Sequence, residues 1–254
     1  MKIIRDDIES IVKECKEGVD RPPPSQFVPS LGRKKTFRNT FNESLNLTNH
    51  FWTPRKTSAF LMLSGPSIMD VNLGTIADCG ALTMGVNNSW SVFTPDLWTC
   101  VDPAKKFMYS GWMNPQIMKF IPHKIKDQKI RWKVSEDEWI STQIKAGYTP
   151  NTVLFNRNTN FNHKEYLTES SINWGQSSKS KCSLGIKSSR SVMLAALKIL
   201  YVLGIRKVYL LGCDFKMSIN NKYAFEQHRG AGAIRGNNKT YDILAKRFQA
   251  LKPH

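Results

Sequence analysis

Small and polar residues suited to holding a phosphorylated ligand recur in this chain at the ends of apolar runs. Gly65-Pro66-Ser67 follows the run at 58–63. A glycine there lets the backbone approach a ligand closely, and a helix starting just after it would turn free N–H groups and the positive end of its dipole toward an anion. The triplet lacks the Gly-Lys-Ser/Thr ending of a P-loop and is not GxGxxG, and Gly-Pro-Ser equally serves as a plain turn. Asn87 ends the run at 82–86, where its amide either donates and accepts at once, as recognition of a base or ribose requires, or forms a turn. Asp102, ahead of Pro103, takes the same place after the run at 97–101, or caps the segment that follows. Ser188 and Ser189 precede a helical stretch at 191–203, where hydroxyls and unpaired backbone N–H groups could hold a phosphate, with Lys187 and Arg190 beside them. Capping accounts for one of those serines. Asp214, after Leu210-Leu211-Gly212-Cys213, either orients a ribose or supports a neighbouring loop.

These positions need a scaffold, and the hydrophobic pattern supplies one. Residues 195–203 are apolar at helical spacing with Gly204 as a stop, and 208–211 is a short apolar run suited to a strand covered on both faces. The runs at 58–63, 82–86 and 97–101 read as further strands, with a helix near 68–77, and 129–134 and 152–155 as shorter candidates. Strands ending in small or polar residues, each followed by a helical or irregular segment, predict an α/β chain with a parallel sheet and connections on its faces. Ligands of such sheets bind at the carboxyl ends of the strands. Ahead of the core expected at 58–254 lies a segment at 1–57. It has an amphipathic helix at 3–15, a proline-rich linker at 21–24 and a polar, basic arm at 25–57 that either wraps the core, contacts a partner or stays disordered. Residues 156–181 read as a long lid-like loop, 230–236 (GAGAIRG) as a glycine-rich loop, and 240–251 as a closing helix with Ile243, Leu244 and Phe248 inward.

Composition narrows the partners. The 254 residues carry 37 Lys and Arg against 20 Asp and Glu, a net charge of +17 that recurs at 33–38, 124–133, 179–190 and 239–247. Such an excess favours a polyanion, with nucleic acid and anionic glycolipid both open, or leaves the protein merely basic. Five scattered cysteines without a CxxC pair argue against a disulfide framework and a zinc site, and a reducing cytoplasm is the simplest location. The amino terminus lacks the apolar core of a secretory signal, and no stretch approaches a membrane span.

Gly-Pro-Ser at 65–67, Val-Asn-Asn at 86–88, Asp-Pro at 102–103, SSRSVM at 188–193, VYLLGCDF at 208–215 and YAF at 223–225, in that order and spacing, resemble the bacterial lipooligosaccharide sialyltransferases and the wider MptE-like group that shares their fold. The resemblance spans roughly residues 60–248. It implies a Rossmann-like sheet with helices on both faces and a glycosyltransferase that works by single displacement without a metal. It places Ser64, Gly65, Ser67, Asn87, Asp102, Ser188, Ser189 and Gly212 around a UDP- or CMP-sugar, with Tyr223 on the departing phosphate, where a hydroxyl donor would stabilise the developing charge.

The chain departs from that pattern in informative ways. Ser64 and Asp102 replace asparagines. Lys216 replaces a tyrosine and could act as a cation on phosphate, whereas Asp102 would repel phosphate and suits ribose or sugar hydroxyls. The family's general base, a histidine, falls near Gly236-Asn237 here. The histidine of this segment is His228, whose imidazole suits proton abstraction near neutral pH, with Asp214, Glu226 and Asp242 as substitutes. The charge then points to a DNA acceptor, a hydroxylated base such as modified bacteriophage genomes carry, flipped from the stack. A surface glycan, a pyrophosphokinase activity and a noncatalytic nucleic-acid-binding role are the competing readings.

Overall fold

The computed structural model describes residues 8–17, 36–47, 51, 58–134, 138–158, 162–169, 171–173, 191–218, 223–225 and 231–251. Its elements run α1 (Ile8–Glu17), β1 (Phe37–Arg38), β2 (Ser44–Leu45), β3 (Ser58–Met62), α2 (Leu73–Asp78), β4 (Leu82–Val86), β5 (Leu97–Thr99), α3 (Tyr109–Met113), β6 (Met118–Pro122), β7 (Lys129–Lys133), β8 (Trp139–Lys145), β9 (Thr152–Phe155), β10 (Arg157–Asn158), β11 (Ile172–Asn173), α4 (Val192–Val202), β12 (Lys207–Leu211) and α5 (Ala231–Leu251). Short 3-10 turns link several of them. The chain is an α/β fold with a mostly parallel central sheet of eight strands in the order β12-β3-β4-β5-β6-β9-β1-β2.

Six neighbouring strands, β12 to β9, are parallel, and β1 and β2 close the far edge antiparallel. In β3, Ala59, Phe60, Leu61 and Met62 have no exposed surface, so both faces of this strand are covered. Alternation sends Ala59, Leu61, Met84, Val86, Leu97 and Phe120 to one face, against α4 and Phe248 of α5. Phe60 and Met62 go to the other, against Ile76 of α2 and Val12 of α1. Further along that second face Trp98 meets Phe107 and Trp112 edge-on, with ring centroids 5.4 and 4.9 Å apart, an arrangement that aromatic quadrupoles favour.

Local chemistry sets the helix ends. Ser191 Oγ accepts from Met193 N–H at 3.1 Å at the start of α4, and Asn72 Oδ1 accepts from Gly74 N–H at 3.1 Å at the start of α2. Gly204, at φ 104°, ends the α4 segment in a conformation that other residues adopt at a cost.

Two fully buried lysines tie loops to this frame. Lys119 Nζ, in β6, donates to the carbonyls of Asn114 (2.6 Å), Ile117 (2.9 Å) and Pro150 (2.8 Å). Burial lowers its pKa to about 8, so the ammonium still supplies three protons near pH 7. Lys198, in α4, donates to Tyr166 O at 2.6 Å, and the Tyr166 hydroxyl donates to Leu194 O. Burial brings Lys198 to about 7, opposed by the nearby Glu169 carboxylate.

Several sequence expectations are corrected. The strand at 208–211 lies at the sheet edge, paired with β3, and Lys207 to Leu210 are half-buried rather than covered on both faces. The helix expected near 68–77 is a 3-10 turn, Pro66–Asp70, followed by α2, because Asn72 starts a new helix with its side chain. Residues 36–47, placed in the arm, supply β1 and β2, and Phe37 is in the core, so the sheet runs across the boundary expected at 57. The run at 129–134 forms β7 outside the central sheet, in an antiparallel hairpin with β8. The long loop expected at 156–181 carries β10 and β11 as a short parallel pair. The glycine-rich segment at 230–236 is helical from Ala231, because Ile234, Tyr241, Leu244 and Phe248 share one stripe and bury it. Among the described residues no helix is long and apolar enough to cross a membrane.

Replacing Lys119 by Met would leave three carbonyls without their donor, and a loss of about 3 kcal/mol or more is expected in urea unfolding. A methyl group at Gly236 would meet nothing within 4 Å. Gly236→Ala should therefore raise stability by about 1 kcal/mol and the Tm by roughly 2–4 °C.

Candidate functional site

Parallel pairing brings the carboxyl ends of β12, β3, β4 and β5 to one edge in that spatial order. The loops Gly212–Lys216, Ser64–Ser67, Asn87–Asn88 and Cys100–Asp102 therefore stand side by side. Strand order reverses here: from β3 the chain steps through β4, β5, β6 and β9, then returns to lay β12 on the opposite side of β3. Such a reversal opens a crevice between loops that leave in opposite directions.

The two loops at the reversal are joined by backbone. Leu63 N–H donates to Leu211 O at 2.8 Å and Gly65 N–H to Gly212 O at 2.9 Å, so the ladder between β3 and β12 continues past both strands. A Cβ on Gly65 would fall 2.3 Å from Asp214 Oδ2 and 2.4 Å from Gly212 O. Gly212 has φ +65°, and a Cβ there would lie 2.9 Å from Gly65 O. Neither position has room for a side chain.

Asp214 accepts from Ser67 N–H through Oδ2 at 3.1 Å. The amide that the sequence offered to an anion at the start of the Pro66–Asp70 turn thus carries a carboxylate from the protein itself. Asp214 supports the neighbouring loop, one of its two expected roles. Ala224 N–H donates to Ser64 O at 3.0 Å, which brings Tyr223 to the same loop. Its ring stacks on Phe225, with centroids 5.4 Å apart and planes 4° apart. Lys216 is exposed, just beyond Phe215, whose φ of 49° turns the chain sharply. Asn238 of α5 clamps the end of this loop, accepting from Met217 N–H at 2.8 Å and donating to Met217 O at 2.9 Å.

Asn87 stands at φ 52°, the left-handed conformation that asparagine tolerates better than most residues. Its carbonyl accepts from Trp98 Nε1–H at 2.6 Å, which fixes the turn. Among the described residues the buried side-chain Oδ1 atoms of Asn87 and Asn88 have no hydrogen-bond partner, and neither does Trp90 Nε1. A buried unpaired polar atom costs about 1–3 kcal/mol, so the two asparagine oxygens suit a ligand that brings a donor and the indole N–H suits one that brings an acceptor. Sequence reading missed Asn88 and Trp90, though a second asparagine after a strand end is a visible signal.

Asp102 pairs with Lys106 at 3.0 Å on the surface and provides no cap. Two cysteines flank these carboxylates. Burial, then the Asp102 charge, holds Cys100 well above its usual pKa, and burial, then Asp214, pushes Cys213 up to about 12. Both therefore remain thiols near neutral pH. No group of three or more His, Cys, Asp and Glu gathers as a metal site among the described residues.

The structure therefore collects Ser64, Gly65, Ser67, Asn87, Asp102, Gly212, Asp214, Lys216 and Tyr223 along one edge. Ser188, Ser189 and His228 lie outside the described residues. Comparison of the chain with family models, with curated proteins and with solved structures finds no match.

Gly65→Ala, which forces a methyl group against Gly212 O and Asp214, should cost roughly 1–3 kcal/mol and lower the urea midpoint at unchanged slope.

Proposed function

We propose that this chain is a Rossmann-like glycosyltransferase of the kind its motifs resemble. It takes a sugar from a nucleotide-sugar donor and places it on a hydroxyl acceptor, in our reading a hydroxylated base in DNA. In a single displacement the acceptor oxygen forms a bond to the anomeric carbon while the bond from that carbon to the phosphate oxygen breaks. The electron pair leaves on the phosphate, and the acceptor proton passes to a base, the role we give to His228. The Tyr223 hydroxyl and the Lys216 ammonium would meet the charge growing on the departing phosphate without a metal. Asn87 would read the nucleotide, and Asp102 suits sugar or ribose hydroxyls.

The observation that carries this reading is the reversal between β12 and β3, with the buried Oδ1 of Asn87, unpaired among the described residues, at the end of the adjoining strand β4 on the same edge. A nucleobase amine or a ribose hydroxyl supplies the donor that this oxygen lacks. A second reading, a noncatalytic nucleic-acid-binding protein on the same fold, is favoured by Asp214. Its carboxylate already fills the amide of Ser67 where a phosphate would otherwise dock.

A thermal-shift panel of UDP-, CMP-, GDP- and dTDP-sugars separates the two. One donor at 100 times its Kd adds about 2.7 kcal/mol, a rise of roughly 5–10 °C for a chain of this length. Asn87→Gly removes the unpaired oxygen and accepts the left-handed turn, so the variant should keep its stability within about 1 kcal/mol while losing the donor shift. No shift with any donor, beside intact DNA binding, would establish the second reading.

A further inference from the structure

The hairpin β7–β8 stands apart from the central sheet and carries an aromatic stack that ends in solvent. Trp132 lies parallel to Tyr109 of α3, with ring centroids 5.1 Å apart and planes 15° apart, yet Trp132 is 56% exposed. Its cross-strand partner Ile140 is 53% exposed. At the base of the hairpin Tyr148 is 53% exposed, with the ammonium groups of Lys126 and Lys145 each 5.8 Å from its ring centroid. Large aromatic faces left open beside cations are the equipment of a surface that stacks bases and follows a phosphate backbone.

We infer that this hairpin binds a single nucleic-acid strand, with a base stacked on Trp132 and phosphates on Lys126 and Lys145 at the hairpin's base. Charge selects this occupant. Residues 124–145 hold six Lys and Arg, and of their four acidic residues three, Glu136, Asp137 and Glu138, fall together between the strands. The fourth, Asp127, pairs with Lys145 at 3.2 Å. Cations thus dominate along β7 and at the base, while the acidic run beside Trp139 disfavours insertion into an anionic lipid surface. A stack with one open end takes one more flat ring, and an unpaired base offers that ring together with a negative charge.

The location connects this surface to the carboxyl edge of the sheet. β7 packs along the turn Ala104–Lys106 that follows Asp102, and Gln128 Oε1 accepts from Ala104 N–H at 2.9 Å. A strand held on the hairpin would lead toward Asp102 and Asn87. As the acceptor surface of the proposed transferase the assignment rests on that reading, whereas the affinity for nucleic acid is measured with no donor present.

The test uses the whole chain and a fluorescein-labelled thymidine oligonucleotide of about 20 nucleotides, with heparin and vesicles of phosphatidylcholine and phosphatidylserine as comparisons. The oligonucleotide should bind, with the logarithm of its affinity falling linearly against the logarithm of salt concentration and with quenched tryptophan fluorescence. Trp132→Ala should weaken it about tenfold, Trp132→Phe should retain most of the affinity, and heparin, which has charge without bases, should bind both variants equally. The inference is overturned if the oligonucleotide fails to bind, or if Trp132→Ala changes its Kd less than twofold. Equal weakening of heparin, or vesicle binding that the oligonucleotide cannot displace, also overturns it. Failure of the sugar-donor panel would leave this result standing, and failure here would leave the donor site intact.

Discussion

The seam between the loops after β3 and β12 is the contact on which the candidate site depends. Among the described strands β12 has one neighbour, β3, and the contacts that extend that pairing help to place it. The extension is backbone to backbone, Gly65 N–H to Gly212 O, and it exists because neither residue has a Cβ. Asp214 then adds a carboxylate on the Ser67 amide and ties the same two loops by a side chain. The order and spacing of everything else at the carboxyl edge follow from this closure. Ser64 takes Tyr223 through the amide of Ala224, and Met217 takes α5 through the amide of Asn238. Close packing at this point leaves less room for an anion at Gly65 than a glycine loop by itself would suggest.

Buried cations show a second constraint. In a chain of net charge +17 most of the described lysines face solvent, yet Lys119 and Lys198 are fully enclosed and hydrogen-bonded to backbone carbonyls. A flexible four-carbon stem carries a strong donor to carbonyls that no backbone N–H reaches, which is cheaper than leaving them unpaired. The net charge therefore overstates what is available to a partner. The cations that count are those held near exposed aromatic faces, as on the β7–β8 hairpin.

Strands β3, β4, β5, β9 and β12 were legible because each is a short apolar run ended by small or polar residues, and α4 because its apolar spacing ends at Gly204. The edge pair β1–β2 and the hairpin strand β8 were not. Two-residue strands have no periodicity, and β8, Trp-Ile-Ser-Thr-Gln-Ile-Lys, is half polar because it packs on one face only. The helical start of α5 was hidden by its glycines, whose cost is offset when Ile234 and Leu244 are buried.

Of the candidate site, the residue types at each strand end were readable from the chain alone, since a parallel sheet puts its ligand-facing loops at carboxyl ends. The sequence by itself also determined the α/β class and the excess of positive charge, because apolar periodicity and composition are local properties. Which strands are neighbours, and so which loops meet, was decided only in three dimensions. Nothing local distinguishes an Asp214 that reaches a ribose from one that caps Ser67, or a Trp132 in a core from one at the end of an open stack. Those roles depend on the close approach of segments far apart in the chain, where hydrogen-bond partners and solvent exposure are settled by packing.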